Sequence, residues 1–184
     1  MDLISEQRIL LVGLGSIGRA TATKLKALGA TVLGTSRSAD HVEDVDEIVH
    51  PDALADAVAD ADGIVVSLPG TAATEGLVGA EVFAGVKPGV TIVSVGRGTV
   101  VDEDAMTAAL VDGRVGLAVL DVFAAEPLPT DSPLWRHPNV LVSPHTAALH
   151  PAEDRLIAQL FARNATRLLD GEELLNRVDT VEFY

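Results

Sequence analysis

Three segments in the second half of the chain concentrate residues that can handle anions and protons. The first is Ser94-Val95-Gly96-Arg97-Gly98-Thr99-Val100-Val101-Asp102. The second is Asp121-Val122-Phe123-Ala124-Ala125-Glu126-Pro127-Leu128-Pro129. The third runs from Ser132-Pro133-Leu134-Trp135 through Pro138-Asn139-Val140 to Ser143-Pro144-His145-Thr146-Ala147-Ala148. A guanidinium such as Arg97 presents a planar fork of donors that fits an anion. An imidazole such as His145, with an unperturbed pKa near 6.5, moves protons close to neutral pH. A carboxylate such as Glu126 beside that imidazole would orient it and favour its charged form.

A different chemistry is written at the other end. Gly13-Leu14-Gly15-Ser16-Ile17-Gly18 is a G-x-G-x-x-G pattern. In a chain with 16 glycines the triplet alone means little. Here it follows an apolar run, Ile9–Val12, and opens a helical pattern, Ile17–Leu28, which is the context that gives it meaning. Gly13 allows a tight turn, Gly15 lets backbone approach a pyrophosphate, and Gly18 lets helix and strand pack closely. The diphosphate would rest on the first N–H groups of the helix. About 20 residues on, a site selective for NAD places an acid on the ribose 2′-hydroxyl. This chain reads Gly34-Thr35-Ser36-Arg37-Ser38 there. A hydroxyl and a guanidinium receive a 2′-phosphate that a carboxylate would repel, so NADP is the preferred cofactor, with NAD the alternative.

These residues need elements to hold them. Strands are expected at Ile9–Val12, Thr31–Gly34, Gly63–Leu68, Thr91–Val95, Leu117–Leu120 and Val140–Val142, with a weaker one at Glu47–Val49. They lack strict polar alternation, as strands buried on both faces do. Ile17, Thr21, Leu25 and Leu28 fall on one face of a first helix closed by Gly29. Further helices are expected over Asp102–Asp112 and Pro151–Asp170, the latter with a stripe of Ile157, Leu160, Phe161, Asn164 and Leu168. Ala124–Asn139, with four prolines, reads as a long ordered loop. The alternation predicts an α/β fold, an open doubly wound parallel sheet of Rossmann type with flanking helices. Ligands bind such sheets at the carboxyl ends of the strands, where all three segments begin.

The glycine loop, the arginine–glycine segment, the D-V-F-x-x-E-P-L-P segment and the P-H segment together resemble the D-isomer-specific 2-hydroxyacid dehydrogenases, in order and in spacing. The Ser36–Arg37 pair is most similar to the glyoxylate/hydroxypyruvate reductase group of that family. The resemblance runs from the phosphate loop to the Asn176–Tyr184 tail. It implies a catalytic set of Arg97, Glu126 and His145. It also implies a nucleotide site drawn from Gly13, Gly15, Ser16, Ile17, Gly18, Ser36, Arg37, Ser38, Leu68, Pro69, Thr74, Val95, Gly96, Arg97, Asp121, His145 and Ala147. The implied reaction is hydride transfer between a nicotinamide cofactor and a small 2-oxo or D-2-hydroxy acid. Arg97 would hold the substrate carboxylate, and His145 would give or take the proton. Taken singly, Arg97 reads as a surface cation, Glu126 as a solvated loop acid and His145 as a turn residue. Their joint occurrence in family order weighs against that. Formate dehydrogenases fit less well, since they carry Gln where Glu126 stands. Ser94 stands where many relatives have Asn. A non-catalytic dinucleotide sensor, like the family's corepressors, is the alternative function.

The resemblance further implies a homodimer, with Trp135 packed against a neighbouring surface, and a substrate domain whose N-terminal segment precedes the first Rossmann strand. Only Met1–Gln7 lie ahead of that strand here. The whole chain, 1–184, is therefore expected to be a dinucleotide-binding domain with its C-terminal helix and tail, able to bind cofactor but slow to turn over. Apolar surface on the last helix is expected to be exposed.

Composition sets the outer limits. Thirteen Lys and Arg against 27 Asp and Glu give a formal charge of −14, which argues against nucleic acid or anionic membrane as the main partner. Hydrophobic residues make up 48% and aromatics only 3%, enough for a core that is mainly aliphatic. Without cysteine there are no disulfides, thiolate nucleophiles or Cys-ligated metals. No His, Asp or Glu spacing suggests a metal site. His41, His50, His137 and His150 read as surface or loop residues. With no leader ahead of the first core segment, a cytoplasmic location is expected.

Overall fold

The structure is a computed structural model that describes residues 3–178. It divides into two compact units, Met1–His145 and Thr146–Tyr184.

The first unit is a seven-stranded sheet in the order β3-β2-β1-β4-β5-β6-β7, with every pair parallel. The strands are β1 (Arg8–Val12), β2 (Thr31–Thr35), β3 (Glu47–Val49), β4 (Gly63–Val66), β5 (Val90–Ser94), β6 (Val115–Leu120) and β7 (Val140–Val142). Helices α1 (Ser16–Ala27), α2 (Leu54–Ala57), α3 (Ala80–Gly85) and α4 (Glu103–Val111) connect them. The chain winds outward from β1 in one direction and then resumes at β4 on its other side, so the topological switch point lies between β1 and β4.

Burial explains why the strands read as continuous apolar runs. Along β1, Leu10 and Val12 join a core with Ile64, Ile92, Phe83, Met106 and Leu110. Ile9 and Leu11 join a second core with Ala22, Val32 and Val42. Alternate residues of one strand therefore feed opposite faces of the sheet, and neither face tolerates polar side chains.

Thr21 and Leu25 of the expected first-helix stripe are half-buried, but its two ends are not, and the fully buried positions lie one residue on. Ile17 is 53% exposed and Leu28 58%, whereas Gly18 and Ala22 are buried and Leu25 half-buried. The cause is contact distance: a Cβ on Gly18 would sit 2.0 Å from the Gly13 carbonyl oxygen. Small residues face the sheet because the helix lies so close to it. The fourth strand is shorter than expected, ending at Val66, where Ser67 turns to donate its hydroxyl to the Gly13 carbonyl at 3.2 Å. The fifth covers Val90–Ser94 in place of Thr91–Val95. Helices α2 and α3, four and six residues long, are too short to show a period in sequence.

The amino edge of the sheet is closed by two carboxylates. Asp62 accepts from the Arg8 backbone N–H at 2.8 Å and from Lys87 Nζ at 2.9 Å. Asp46 accepts from Lys26 Nζ at 2.8 Å and from the Val32 N–H at 2.8 Å. Each carboxylate satisfies a backbone donor near the start of a strand, Arg8 in β1 and Val32 in β2. Burial pushes the Asp62 carboxyl up, but the Arg8 N–H and the Lys87 ammonium outweigh it and hold the group below its usual 3.8. The hydrogen bond from Lys26, then that from Val32, does the same for Asp46.

The second unit is helix α5 (Glu153–Leu169), ended by Gly171 at φ 74°. Asn164 clamps the following segment, donating to the Leu175 carbonyl at 3.0 Å and accepting from its N–H at 2.8 Å. Of the expected α5 stripe, Ile157, Phe161 and Leu168 are exposed and Leu160 and Asn164 half-buried. Residues 179–184 of the tail lie outside the described residues. No helix among the described residues is long and apolar enough to cross a membrane.

Because Asp62 titrates below its unfolded value, its contribution is present above that value and is lost as pH falls through the folded-state pKa. Asp62→Asn is expected to lower unfolding free energy by about 1–2 kcal/mol at neutral pH, with the gap closing in acid. Urea denaturation at both pH values checks this, and a gap of equal size in acid would reject the charged hydrogen bonds as its source.

Candidate active site and nucleotide cradle

The carboxyl edge carries small hydroxyl residues at the ends of the apolar runs, and these shape the first loop. Thr35, ending β2 and buried, accepts from the Gly13 N–H through Oγ1 at 2.9 Å. Ser67 holds the Gly13 carbonyl from the other side. Gly13 itself sits at φ 107°, which L side chains rarely adopt. Gly15 is exposed, and a Cβ there would meet nothing within 4 Å. Helix α1 starts at Ser16 with no side-chain cap and no acid in its first turn. Its leading N–H groups, those of Ser16, Ile17 and Gly18, thus form an open cradle with the favourable end of the helix dipole. Sequence reasoning had not singled out Thr35 or Ser67; a hydroxyl closing an apolar strand was the available signal.

At the end of β2 the Ser36 hydroxyl accepts from the Ser38 N–H at 3.3 Å and from the Ala39 N–H at 2.9 Å. Both its acceptor positions are used, and its proton remains to be donated. Arg37 and Ser38 are exposed beside it. After β4, Leu68 and Pro69 are half-buried. Thr74 donates to the Pro69 carbonyl at 2.6 Å and accepts from the Thr71 N–H at 2.9 Å, which closes that turn.

Val95 and Gly96 continue from β5. A Cβ on Gly96 would lie 2.4 Å from the Leu68 carbonyl oxygen, so two of the expected cofactor segments touch through backbone. Arg97 donates from Nη1 to the Gly96 carbonyl at 2.8 Å, and the residue is exposed. Ser94 is 1% exposed, and its Oγ has no hydrogen-bond partner. Asp121, at the end of β6, is 5% exposed and accepts from the Ser143 hydroxyl at 2.5 Å. That bond ties β6 to the segment leading to His145. Ala147 belongs to the second unit.

The structure brings Glu126 and His145 into direct contact. The imidazole Nδ1 lies 2.7 Å from Glu126 Oε2, and Oε1 of the same carboxylate accepts from the Phe123 N–H at 3.0 Å. The hydrogen bond from His145 holds the Glu126 carboxyl below its usual 4.5, aided by the Phe123 N–H and more weakly by the charge of Arg97. An ionised carboxylate only accepts, so Nδ1 carries the hydrogen and Nε2 is left for proton exchange. His145 holds a left-handed backbone, φ 55°, at a cost of about 1–2 kcal/mol, which turns its ring toward Glu126.

Three of the four remaining histidines do more than fill loops. His50, His137 and His150 each precede a proline. The Nδ1 of each accepts from the backbone N–H two residues on, those of Asp52, Asn139 and Ala152. They act as turn caps. Trp135 is 50% exposed and donates Nε1 to the Pro129 carbonyl at 2.8 Å, and the loop that holds it contains a 3-10 turn at Pro133–Arg136. Among the described residues no group of three His, Asp or Glu converges as a metal ion would require.

Because the Glu126 pKa is depressed, its ionised carboxylate, the form that accepts from Nδ1, is fully present above the ordinary glutamate range and is lost as pH falls through the lowered value. In a carbon-detected NMR titration, His145→Ala is expected to move the Glu126 transition up toward that range. A transition that stays in place would remove the pair as the cause.

Residues 1–147 match the family model described as D-isomer specific 2-hydroxyacid dehydrogenase, NAD binding domain. The chain is 40% identical, with TM-score 0.91, to a D-isomer specific 2-hydroxyacid dehydrogenase from Xanthobacter autotrophicus solved with NADPH and MES, covering all of this chain and 75% of that one. An NADPH-dependent glyoxylate/hydroxypyruvate reductase from Sinorhizobium meliloti, solved with NADP and sulfate, is 32% identical with TM-score 0.91, over all of this chain and 58% of that one. Glyoxylate/hydroxypyruvate reductase A of Salmonella typhi is 35% identical over 175 residues, 95% of this chain and 55% of the relative. The chain spans 50–60% of the length of the curated relatives that it matches. Its parallel seven-stranded sheet, its glycine loop and its matched residues agree: the chain belongs to the D-isomer-specific 2-hydroxyacid dehydrogenase family, as the NAD(P)-binding domain.

Proposed function

We propose that this domain serves an oxidoreductase that interconverts a small 2-oxo acid and the corresponding D-2-hydroxy acid, of the glyoxylate/hydroxypyruvate type, with NADP preferred over NAD. The observation that carries the reading is the Glu126–His145 pair at 2.7 Å, with Arg97 close enough for its charge to lower Glu126 further.

The nicotinamide, when bound, supplies or accepts the hydride. The cradle residues fit the rest of the cofactor: the uncapped first turn of α1 fits a diphosphate, and the space over Gly15 lets it approach backbone. Arg97 presents donors to the substrate carboxylate, its fork steadied through Nη1 on the Gly96 carbonyl. His145 gives a proton to the carbonyl oxygen from Nε2 in reduction and takes one from the hydroxyl in oxidation. Glu126 fixes the tautomer and orients the ring through Nδ1. His145→Ala is expected to lower turnover by the full-length gene product about 10²–10⁴-fold. Unchanged turnover would exclude His145 as the acid and base.

The preference for NADP is supported by Ser36 and Arg37, a hydroxyl and a guanidinium standing where a site selective for NAD places an acid. Relatives from Xanthobacter and Sinorhizobium solved with NADPH and NADP support the same choice. Calorimetric titration of the chain is expected to show tighter binding of NADPH than of NADH, with the difference abolished by Arg37→Ala. Tighter NADH binding would overturn the preference and leave the dehydrogenase reading intact. A homodimer and a cytoplasmic location are part of the same reading. The exposed Ile157, Phe161 and Leu168 on α5 supply apolar surface for self-association, and the location rests on family membership.

A further inference from the structure

Two carboxylates hold two successive N–H groups of one turn. Glu126 Oε1 accepts from the Phe123 N–H, within its own loop. Glu103, the first residue of α4, reaches across to accept from the Ala124 N–H through Oε1 at 2.5 Å. The helix does not need Glu103 as its cap, because Asp102 fills that place by accepting from the Ala105 N–H at 3.0 Å. The peptide between Phe123 and Ala124 also rests on Gly98, where a Cβ would fall 1.9 Å from the Phe123 carbonyl carbon. Phe123 is buried in the main core. The turn is thus pinned by the Phe123 side chain in the core, by backbone against Gly98 beside Arg97, and by the Glu103 carboxylate on the Ala124 N–H.

We propose that Glu103 is a positioning residue of the catalytic set, whose hydrogen bond to the Ala124 N–H fixes the Phe123–Glu126 turn so that Glu126 meets His145 and the Arg97 loop keeps its seat. The inference rests on the reading of Glu126 and His145 as the proton-handling pair. What fixes the turn is the acceptor on Glu103, and its charge is incidental, since a backbone N–H needs only an oxygen at hydrogen-bond distance. Shortening or removing the side chain frees the Ala124 N–H, loosens the turn and weakens both bonds to Glu126.

The test compares the 184-residue chain with Glu103→Ala and Glu103→Gln, reading the Glu126 carboxyl and the His145 ring by NMR titration, with thermal unfolding as the control on folding. In Glu103→Ala the Glu126 transition is expected to rise toward the ordinary glutamate range and the His145 Nδ1 proton signal to exchange faster. Glu103→Gln, which keeps the acceptor, is expected to restore both. An unmoved Glu126 transition in Glu103→Ala would overturn the proposal, as would equal displacement in both variants, which would point to the charge. If Glu103→Ala does not fold, Glu103→Asp, one methylene short, takes the same reading. The titration uses neither substrate nor cofactor. Failure of the dehydrogenase reading would instead show as unchanged turnover in His145→Ala, so the two failures are distinguishable.

Discussion

The contact between Gly18 and the carbonyl of Gly13 organises the upper half of the molecule. With no side chain in the way, α1 can start against the turn that follows β1, so close that a Cβ on Gly18 would lie 2.0 Å from the Gly13 carbonyl oxygen. That proximity decides which helix residues are fully buried and puts Gly18 and Ala22 against the sheet in place of Ile17 and Thr21. It also leaves the first N–H groups of α1 at the switch point between β1 and β4, unfilled by any side chain. Thr35 and Ser67 then hold Gly13 from both adjacent strands, so the turn is fixed before any ligand arrives.

The two edges of the sheet divide their work. At the amino edge, Asp46 and Asp62 satisfy backbone donors near the starts of β2 and β1 and pair with Lys26 and Lys87. Those carboxylates serve stability. At the carboxyl edge, charge is handled differently: Glu126 and Glu103 bind consecutive N–H groups of one turn, and Glu126 spends its second oxygen on His145. A chain with a charge of −14 thus places several of its acids where backbone donors and cations neutralise them locally, which limits the self-repulsion that so acidic a composition brings.

The loops at the site are interlocked through backbone as much as through side chains. Gly96 abuts the Leu68 carbonyl and Gly98 abuts the Phe123 carbonyl carbon, so the segments after β4, β5 and β6 share one packing arrangement. The Asp121–Ser143 hydrogen bond adds the approach to His145. Such contacts hold functional groups at fixed separations, which catalysis by orientation requires.

Much of this was legible in the residues alone. The five inner strands follow from apolar runs, because a strand buried on both faces is apolar throughout; the edge strands β3 and β7 are only partly buried, with Glu47 and Leu141 exposed. The glycine loop, Arg97, Glu126 and His145 stand out by residue type and order, and the folded chain brings Glu126 and His145 into contact. What the tertiary structure decided were the contacts whose partners are far apart in sequence. The stripe of α1 depends on how close the helix lies, and hydrophobicity alone points to Ile17 and Leu28. The clamp from Glu103 to Ala124 joins residues 21 apart, and the seat of Phe123 on Gly98 depends on two loops meeting. Sequence periodicity reports which residues prefer to be buried, whereas only the folded chain fixes which donor each carboxylate reaches.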